Sequence, residues 1–239
     1  MADSRQFARF AAVLALIAAP LAWSSLVLGL AAAGWNGDAL GDAAAILSLG
    51  PDAAPLLRLS YACSMFGSYL LLMPLALWLY TRLRAEHPNF SRWYTLCGLG
   101  YLALGASGAA MLGAVWPELI QAYAAATPEA RPGYGITFQT ATWLAQEGLQ
   151  GIIQDVAGAT WWVGLGLLLR RSARGLALFS LVLGAALALN ALGNLLAIEA
   201  LTAIGLAANL LLAPIWGVWA GLTAWRGADG AAAAARDQG

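Results

Sequence analysis

The sequence predicts an all-α integral membrane protein: a bundle of six transmembrane helices with its N-terminus and C-terminus in the cytoplasm. Three observations carry this. Of 239 residues, 61% are hydrophobic and only 10% charged, against about 25% charged in an average soluble domain. Six stretches (10–34, 59–80, 93–116, 149–169, 176–197 and 203–225) reach the roughly 20 apolar residues that a span requires. The twelve basic residues are all arginine, and they are unevenly placed. Arg5, Arg9, Arg82, Arg84, Arg92, Arg170, Arg171, Arg174, Arg226 and Arg236 flank one set of helix ends. Arg58 and Arg131 flank the other, together with Asp38, Asp42, Asp52, Glu118, Glu129 and Glu199. Cytoplasmic loops carry the excess of arginine, so the first set of ends faces the cytoplasm. Little chain remains outside the spans, and a single membrane domain (1–239) is expected, with the lipid bilayer as its surroundings.

The elements follow in order. Arg5 and Arg9 precede an apolar run longer than the roughly 7–15 residues of a signal-peptide core, so it is expected to stay as the first helix. The first outer loop, 35–57, has turn signals at Asn36-Gly37 and Gly50-Pro51-Asp52, with room for a short surface helix between Asp38 and Leu49. Pro55 suits the first turn of the second span. The cytoplasmic loop 81–92 contains the breaker His87-Pro88-Asn89. In the second outer loop, Glu118–Ala126 reads as helical, and Pro128, Pro132, Gly133 and Gly135 interrupt it. From Thr137 the chain can extend the fourth helix outward, with Trp143 at the headgroup level. Arg170–Arg174 joins spans four and five, and a turn near Glu199 joins five and six; such short links make neighbouring helices antiparallel. The tail after Gly227, rich in alanine and glycine, is expected to be mobile. Cys63 and Cys97 fall near opposite ends of their spans, too far apart for a disulfide, and read as small packing residues.

Leu70-Leu71-Leu72-Met73-Pro74 in span two is echoed by Leu210-Leu211-Leu212-Ala213-Pro214 in span six. Paired prolines in corresponding helices can mark broken-helix sites in transporters. Coincidence in a leucine-rich chain is the simpler account, although each proline is a site for a kink.

The fourth span breaks the apolar rule. Glu147, Gln150, Gln154 and Asp155 fall within an arc of roughly 140° at about 100° per residue. Carboxylates and amides are costly in hydrocarbon, and an intramembrane acid marks a functional site by default. Asp155 lies about 22 Å from the inner end at 1.5 Å per residue. By the same count Asn190 and Asn194 of span five, Asn209 of span six, and Ser60, Ser64 and Ser68 of span two lie in the outer half. Below Asp155 the same face continues as Trp161, Trp162 and Leu165.

The expectation is a polar pocket in the outer half of the bundle with an aromatic and aliphatic floor, suited to a small or amphipathic ligand, lipid included. Its candidate residues are Arg58, Glu147, Gln150, Gln154, Asp155, Trp161, Trp162, Asn190, Asn194 and Asn209. Arg58 is the natural partner of Asp155, with Glu147 and Glu199 competing for it. Two alternatives stand beside this one. A secondary transporter would need a polar route past Trp161 and Trp162. A purely structural or assembly subunit would pair its amides with one another and leave no cavity.

Several chemistries are excluded. There is no lysine for a retinal Schiff base, and one histidine cannot make a bis-histidine haem. No Cys/His cluster offers zinc, no glycine-rich phosphate loop follows a strand, and nothing implies a cofactor, a metal or a nucleic acid partner. Gly105-Ala106-Ser107-Gly108 resembles the Gly-x-Ser-Gly segment of rhomboid intramembrane serine proteases, which implies a nucleophilic serine. Such a serine needs a positioned base, and the sole histidine, His87, lies in a cytoplasmic loop, so enzymatic activity is not expected. Gly105, Ala109 and Gly113 read better as a close-packing face.

The layout as a whole is an Arg-flanked first helix, an acidic helical outer loop, and a second span that opens near Arg58 and closes in Leu79-Tyr80-Thr81-Arg82-Leu83-Arg84. This resembles a bacterial six-helix membrane family catalogued as domain of unknown function 4386. The resemblance implies a location in the bacterial cytoplasmic membrane and supplies no catalytic residues.

Overall fold

The structure, a computed structural model, describes residues 2–236, with side chains described for 3–37 and 39–228. The Asp38 side chain, the side chains after 228 and residues 237–239 lie outside the described residues, and the tail backbone up to Arg236 continues as helix. Every long element is helical, and there is no strand among the described residues. Six helices are long and apolar enough to cross a membrane: Asp3–Ala32, Ala53–Leu83, Pro88–Ala125, Arg131–Leu169, Arg174–Leu196 and Glu199–Ala228. A chain of this kind reads as a multi-pass membrane protein.

The first span is α1 (Ala2–Ala32). In the loop after it, a 3₁₀ turn (Asp38–Gly41) leads into α2 (Ala43–Leu47), whose first turn is capped by the Asp42 carboxylate accepting from the Ala44 amide at 2.9 Å. The second span is broken. It begins as α3 (Ala53–Ser64), passes through a π turn (Met65–Tyr69) and a 3₁₀ turn (Leu70–Leu72), and resumes as α4 (Met73–Leu83). Pro74 explains the break. It has no N–H to offer the Leu70 carbonyl, and its ring crowds that carbonyl, so the ladder is re-paired with longer and then shorter turns. Tyr69 absorbs the mismatch at φ −133°, ψ −72°. The echoed Pro214 sits inside an unbroken helix, so the two spans do not share this break.

The third span is α5 (Pro88–Ala125). The fourth consists of α6 (Arg131–Thr142), a long π segment (Trp143–Gln154) and α7 (Asp155–Leu169) in continuous succession. Pro132 stands in the first turn of α6, where it needs no partner, so the expected interruption shrinks to the few residues before Arg131. The fifth and sixth spans are α8 (Arg174–Leu196) and α9 (Glu199–Arg236). Ala197, left-handed at φ 53°, turns the chain sharply between them while the Ile198 amide donates to the Gly193 carbonyl.

Consecutive spans pack side by side, and the first also packs against the sixth, so the six close into a ring. One buried cluster joins Ala8, Leu83, Leu169, Leu176 and Ala224, which places the arginine-rich helix ends together. Arg9 lies over the Trp225 ring at 5.6 Å and Arg82 over Trp78 at 5.6 Å. Arginine and aromatic side chains gather in this way at membrane interfaces. Large apolar side chains such as Phe10, Leu96, Leu178 and Leu211 cover the outside of the ring and are exposed, as a lipid-facing surface requires.

At the arginine-poor end, spans three and four overshoot. α5 has 38 residues, about 57 Å of helix against a hydrocarbon core of about 30 Å. Their protruding parts bury Trp116, Ile120 and Phe138 against Ile46, Leu47 and Leu57 to form a small separate core. The Trp116 indole donates to the Thr142 hydroxyl at 2.9 Å, which satisfies the one polar atom of that ring.

Candidate binding site within the helix ring

Towards the arginine-rich end the ring is filled. Trp161, Trp162 and Trp216 form a stack of tilted and edge-on rings, with Trp161–Trp162 centroids 4.6 Å apart and Trp162–Trp216 centroids 4.3 Å apart. Trp216 is held by its indole N–H donating to Ser180 at 2.9 Å. Leu75, Leu79 and Leu165 close the space around them. Together these side chains form a packed plug.

Beyond the plug the interior opens into a cavity of about 200 Å³. One wall is the small-residue face of α1: Ala15, Ala18, Ala22, Ser25 and Gly29 recur every three or four residues, which puts them on one side of that helix. Ser60, Ser64, Ser68 and Tyr69 from the second span face it, with Tyr101 and Trp116 from the third, Gln146 from the fourth, and Asn209, Leu210 and Ala213 from the sixth. Ser60 donates to the Ser25 carbonyl at 2.8 Å and thereby ties α3 to α1 beside the cavity. Gly67 lets the second span approach α1 closely, because a β-carbon there would collide with the Ala22 amide and the Ala18 carbonyl. Leu210 of α9 lines the cavity and is 43% exposed.

The polar residues singled out in the sequence fall into three groups. Asn209 alone of the ten lines the cavity. Gln154, Asp155, Asn190, Asn194 and Gln150 stand behind the cavity wall, between spans three, four and five. Asp155 is 4% exposed and accepts from the Asn190 amide at 2.6 Å. Asn194 donates to the Asn190 side-chain oxygen at 3.1 Å and to its carbonyl at 3.0 Å, so acid and amides pair with one another. Gln150 donates to the Gly105 carbonyl at 3.2 Å. Gln154 sits beside the hydroxyls of Tyr69 and Tyr101, which form the cavity side of the wall, and its Oε1 is buried without a partner. Trp161 and Trp162 belong to the plug.

Arg58 and Glu147 form the third group and lie elsewhere. Arg58 pairs with Glu118 at 2.5 Å, both side chains more than half exposed, and not with Asp155. The overshoot of α5 is the reason: it carries Glu118 to the surface beside the start of the second span. Glu147 is exposed and lines a larger cleft of about 620 Å³ between α2 and the α5–α6 corner. The π segment accounts for its displacement. An i→i+5 ladder puts more than four residues in each turn, so Gln146, Gln150 and Gln154 come into line and Glu147 is rotated outward.

The third span accommodates this arrangement with glycine. A β-carbon at Gly98 would meet the Trp161 ring, at Gly105 the Tyr69 ring, at Gly108 the Gln150 side chain, and at Gly113 the Tyr61 side chain. At Gly105 and Gly113, on the face expected to pack closely, the close approach is to the Tyr69 and Tyr61 side chains. Ser107 points away from it, exposed, and donates to the Ala103 carbonyl at 2.9 Å. Cys63 and Cys97 are both free thiols, as expected. No group of metal-ligating side chains is found among the described residues. No known protein family, curated protein or solved structure matches this chain.

Tyr61, Tyr69, Tyr101, Ser25 and Gln146 complete the candidate site and were not singled out as pocket residues by the sequence. For Ser25 the available signal is the three- and four-residue spacing of small residues along α1. The tyrosines carried no signal, because aromatic residues in a span read equally as core.

Proposed function

We propose that this is a bacterial cytoplasmic-membrane protein, arginine-rich ends inside, that binds an amphipathic ligand in the cavity within its ring. Membership of the family of domain 4386 forms part of the same proposal. The observation that carries it is the cavity of about 200 Å³ with its lining: alanine, leucine and glycine along its length, and serine, tyrosine and amide groups from five spans. Apolar walls with a few convergent polar groups are what a ligand pocket needs. For scale, an enclosed apolar cavity of about 150 Å³ holds benzene. Entry from the bilayer beside Leu210 is part of this reading, with the remainder of a longer chain staying in lipid.

Transport is the weaker reading. A carrier needs a route to the opposite face, and Trp161, Trp162 and Trp216, each at most 1% exposed, fill that end of the ring. The amide–acid pairing favours a structural role for Asp155, Asn190 and Asn194, yet the cavity beside them is not what a purely structural bundle requires. The test is native mass spectrometry of protein released from its own membranes. The wild type should retain a bound amphipath, and a variant whose cavity is filled, Ala213→Phe with Ser64→Phe, should lose it. A wild type without bound species, or an adduct indifferent to filling, would overturn the proposal.

A further inference from the structure

The cavity is long and narrow. Its wall on α1 runs from Ala15 to Gly29, about 21 Å at 1.5 Å per residue. About 200 Å³ spread over that length makes a tube with room for one hydrocarbon chain and not for two. The two ends of the tube differ. Beside the plug it is lined by Ala15, Leu72, Pro214 and Gly217, none of which has a polar side-chain atom. At the outer end stand Ser25, Ser60, Tyr61 and Gln146, next to Leu57 and Trp116 of the small outer core. An apolar tail suits the first end and a polar head the second, because a buried polar group is costly unless it is hydrogen-bonded.

The outer end leads to the second hollow of the molecule. Leu40 and Gln146 line both the tube and the cleft of about 620 Å³ between α2 and the α5–α6 corner. Leu40 rides on the 3₁₀ turn Asp38–Gly41 and reaches over Gly29 of α1, where a β-carbon would stand 3.9 Å from it. From the other side Gln146 sits against the Tyr61 hydroxyl. The partition is thus made of two side chains with free rotamers, and a change of rotamer is fast and cheap beside a backbone movement. Beyond it the cleft is roomier and polar. Asp42, Arg131, Gln139 and Glu147 give it charges of both signs. Trp143, half exposed on its rim, is a residue type that gathers at headgroup depth.

We infer that tube and cleft are one site for a single-chain lipid with a large polar head: tail along α1, neck between Leu40 and Gln146, head in the cleft. This rests on the binding function proposed above. The test uses the full chain in phosphatidylcholine nanodiscs and three diazirine probes, with the labelled residues mapped by peptide mass spectrometry. Two probes are lysophosphatidylcholines, one with the diazirine at the end of its tail and one with it on the headgroup. The third is a two-chain phosphatidylcholine with the diazirine at the end of one tail. The tail-end lysolipid should label tube residues near the plug, such as Leu72 and Ala213, and the headgroup probe should label cleft residues such as Gln139 and Trp143. The two-chain lipid should label the tube at least about tenfold less than the tail-end lysolipid. Gln146→Trp, which fills the neck, should reduce both lysolipid labels together. A tail in the tube with its headgroup label outside the cleft would overturn the shared site while leaving the cavity a binding site. Equal tube labelling by the two-chain lipid would overturn the single-chain class, and a folded Gln146→Trp that keeps both labels would overturn the neck. Absence of tail labelling in the tube by any probe would overturn the binding function itself. The comparison of probes on the wild type does not depend on the variant folding.

Discussion

Replacing Asn190 by leucine should destabilise the protein far more than its near-equal size suggests. Asn190 is 6% exposed, donates to Asp155 at 2.6 Å, and accepts from Asn194 at 3.1 Å. Side-chain hydrogen bonds between membrane helices average about 0.6 kcal/mol and reach about 1.7, so losing two costs about 1–3 kcal/mol. Asp155, itself 4% exposed, would also lose its amide donor, which adds about 1–3 kcal/mol for a stranded acceptor. Asn194 adds nothing, because its amide still reaches the Asn190 and Gly151 carbonyls. The expected loss is about 2–6 kcal/mol. Asp155→Leu combined with Asn190→Leu removes donor and acceptor together and should cost less than about 1.5 kcal/mol. Equilibrium unfolding in mixed micelles on the four proteins of this cycle gives the coupling directly. A double variant as unstable as the sum of its single changes would refute the claim that this pair is a matched polar contact.

Further expectations follow from the same geometry. Arg58→Ala should shift stability by less than about 1 kcal/mol in the same unfolding assay, because its partner Glu118 is 67% exposed and screened by water; a loss of several kcal/mol would mean a buried partner. Gly105→Leu should lower thermal stability by about 1–3 kcal/mol or prevent folding, since the added side chain meets the Tyr69 ring. Gly100→Ala on the same helix meets nothing within 4 Å and should leave stability unchanged or raise it by up to about 1 kcal/mol. Equal effects at the two glycines would show that the third span does not receive Tyr69.

Much of the fold is legible in the sequence because membrane spans are long and their signals local. The six apolar stretches, the short helix capped by Asp42 and the outward extension before Trp143 all follow from composition and turn residues. The overshoot of α5 is legible only in part: Glu118–Ala126 reads as helical, but Pro117 reads as a break after the span, and the helix runs through it without interruption. That single difference moves Glu118 to Arg58 and removes Arg58 from Asp155. The second difference is periodicity. An α-helical projection of span four groups Glu147 with Gln150 and sets Gln146 aside, and the π segment reverses this. Nothing in Trp143–Gln154 distinguishes the two ladders by residue type; the packing of Gln150 on Gly108 and of Gln154 beside two tyrosines accompanies the choice. A pocket was expected, but its place against α1 was unreadable, because that wall is alanine and serine, the residues that usually close gaps between membrane helices.

The central claim, a hollow interior reachable from the bilayer, is tested most directly by one introduced thiol. Ser68→Cys, in a background with Cys63 and Cys97 replaced by alanine, places a sulfhydryl on the cavity wall. The account predicts that a bilayer-partitioning maleimide labels this thiol in the folded protein, and that filling the cavity with Ala213→Phe blocks the reaction. A thiol that stays unlabelled until the protein is unfolded would contradict it.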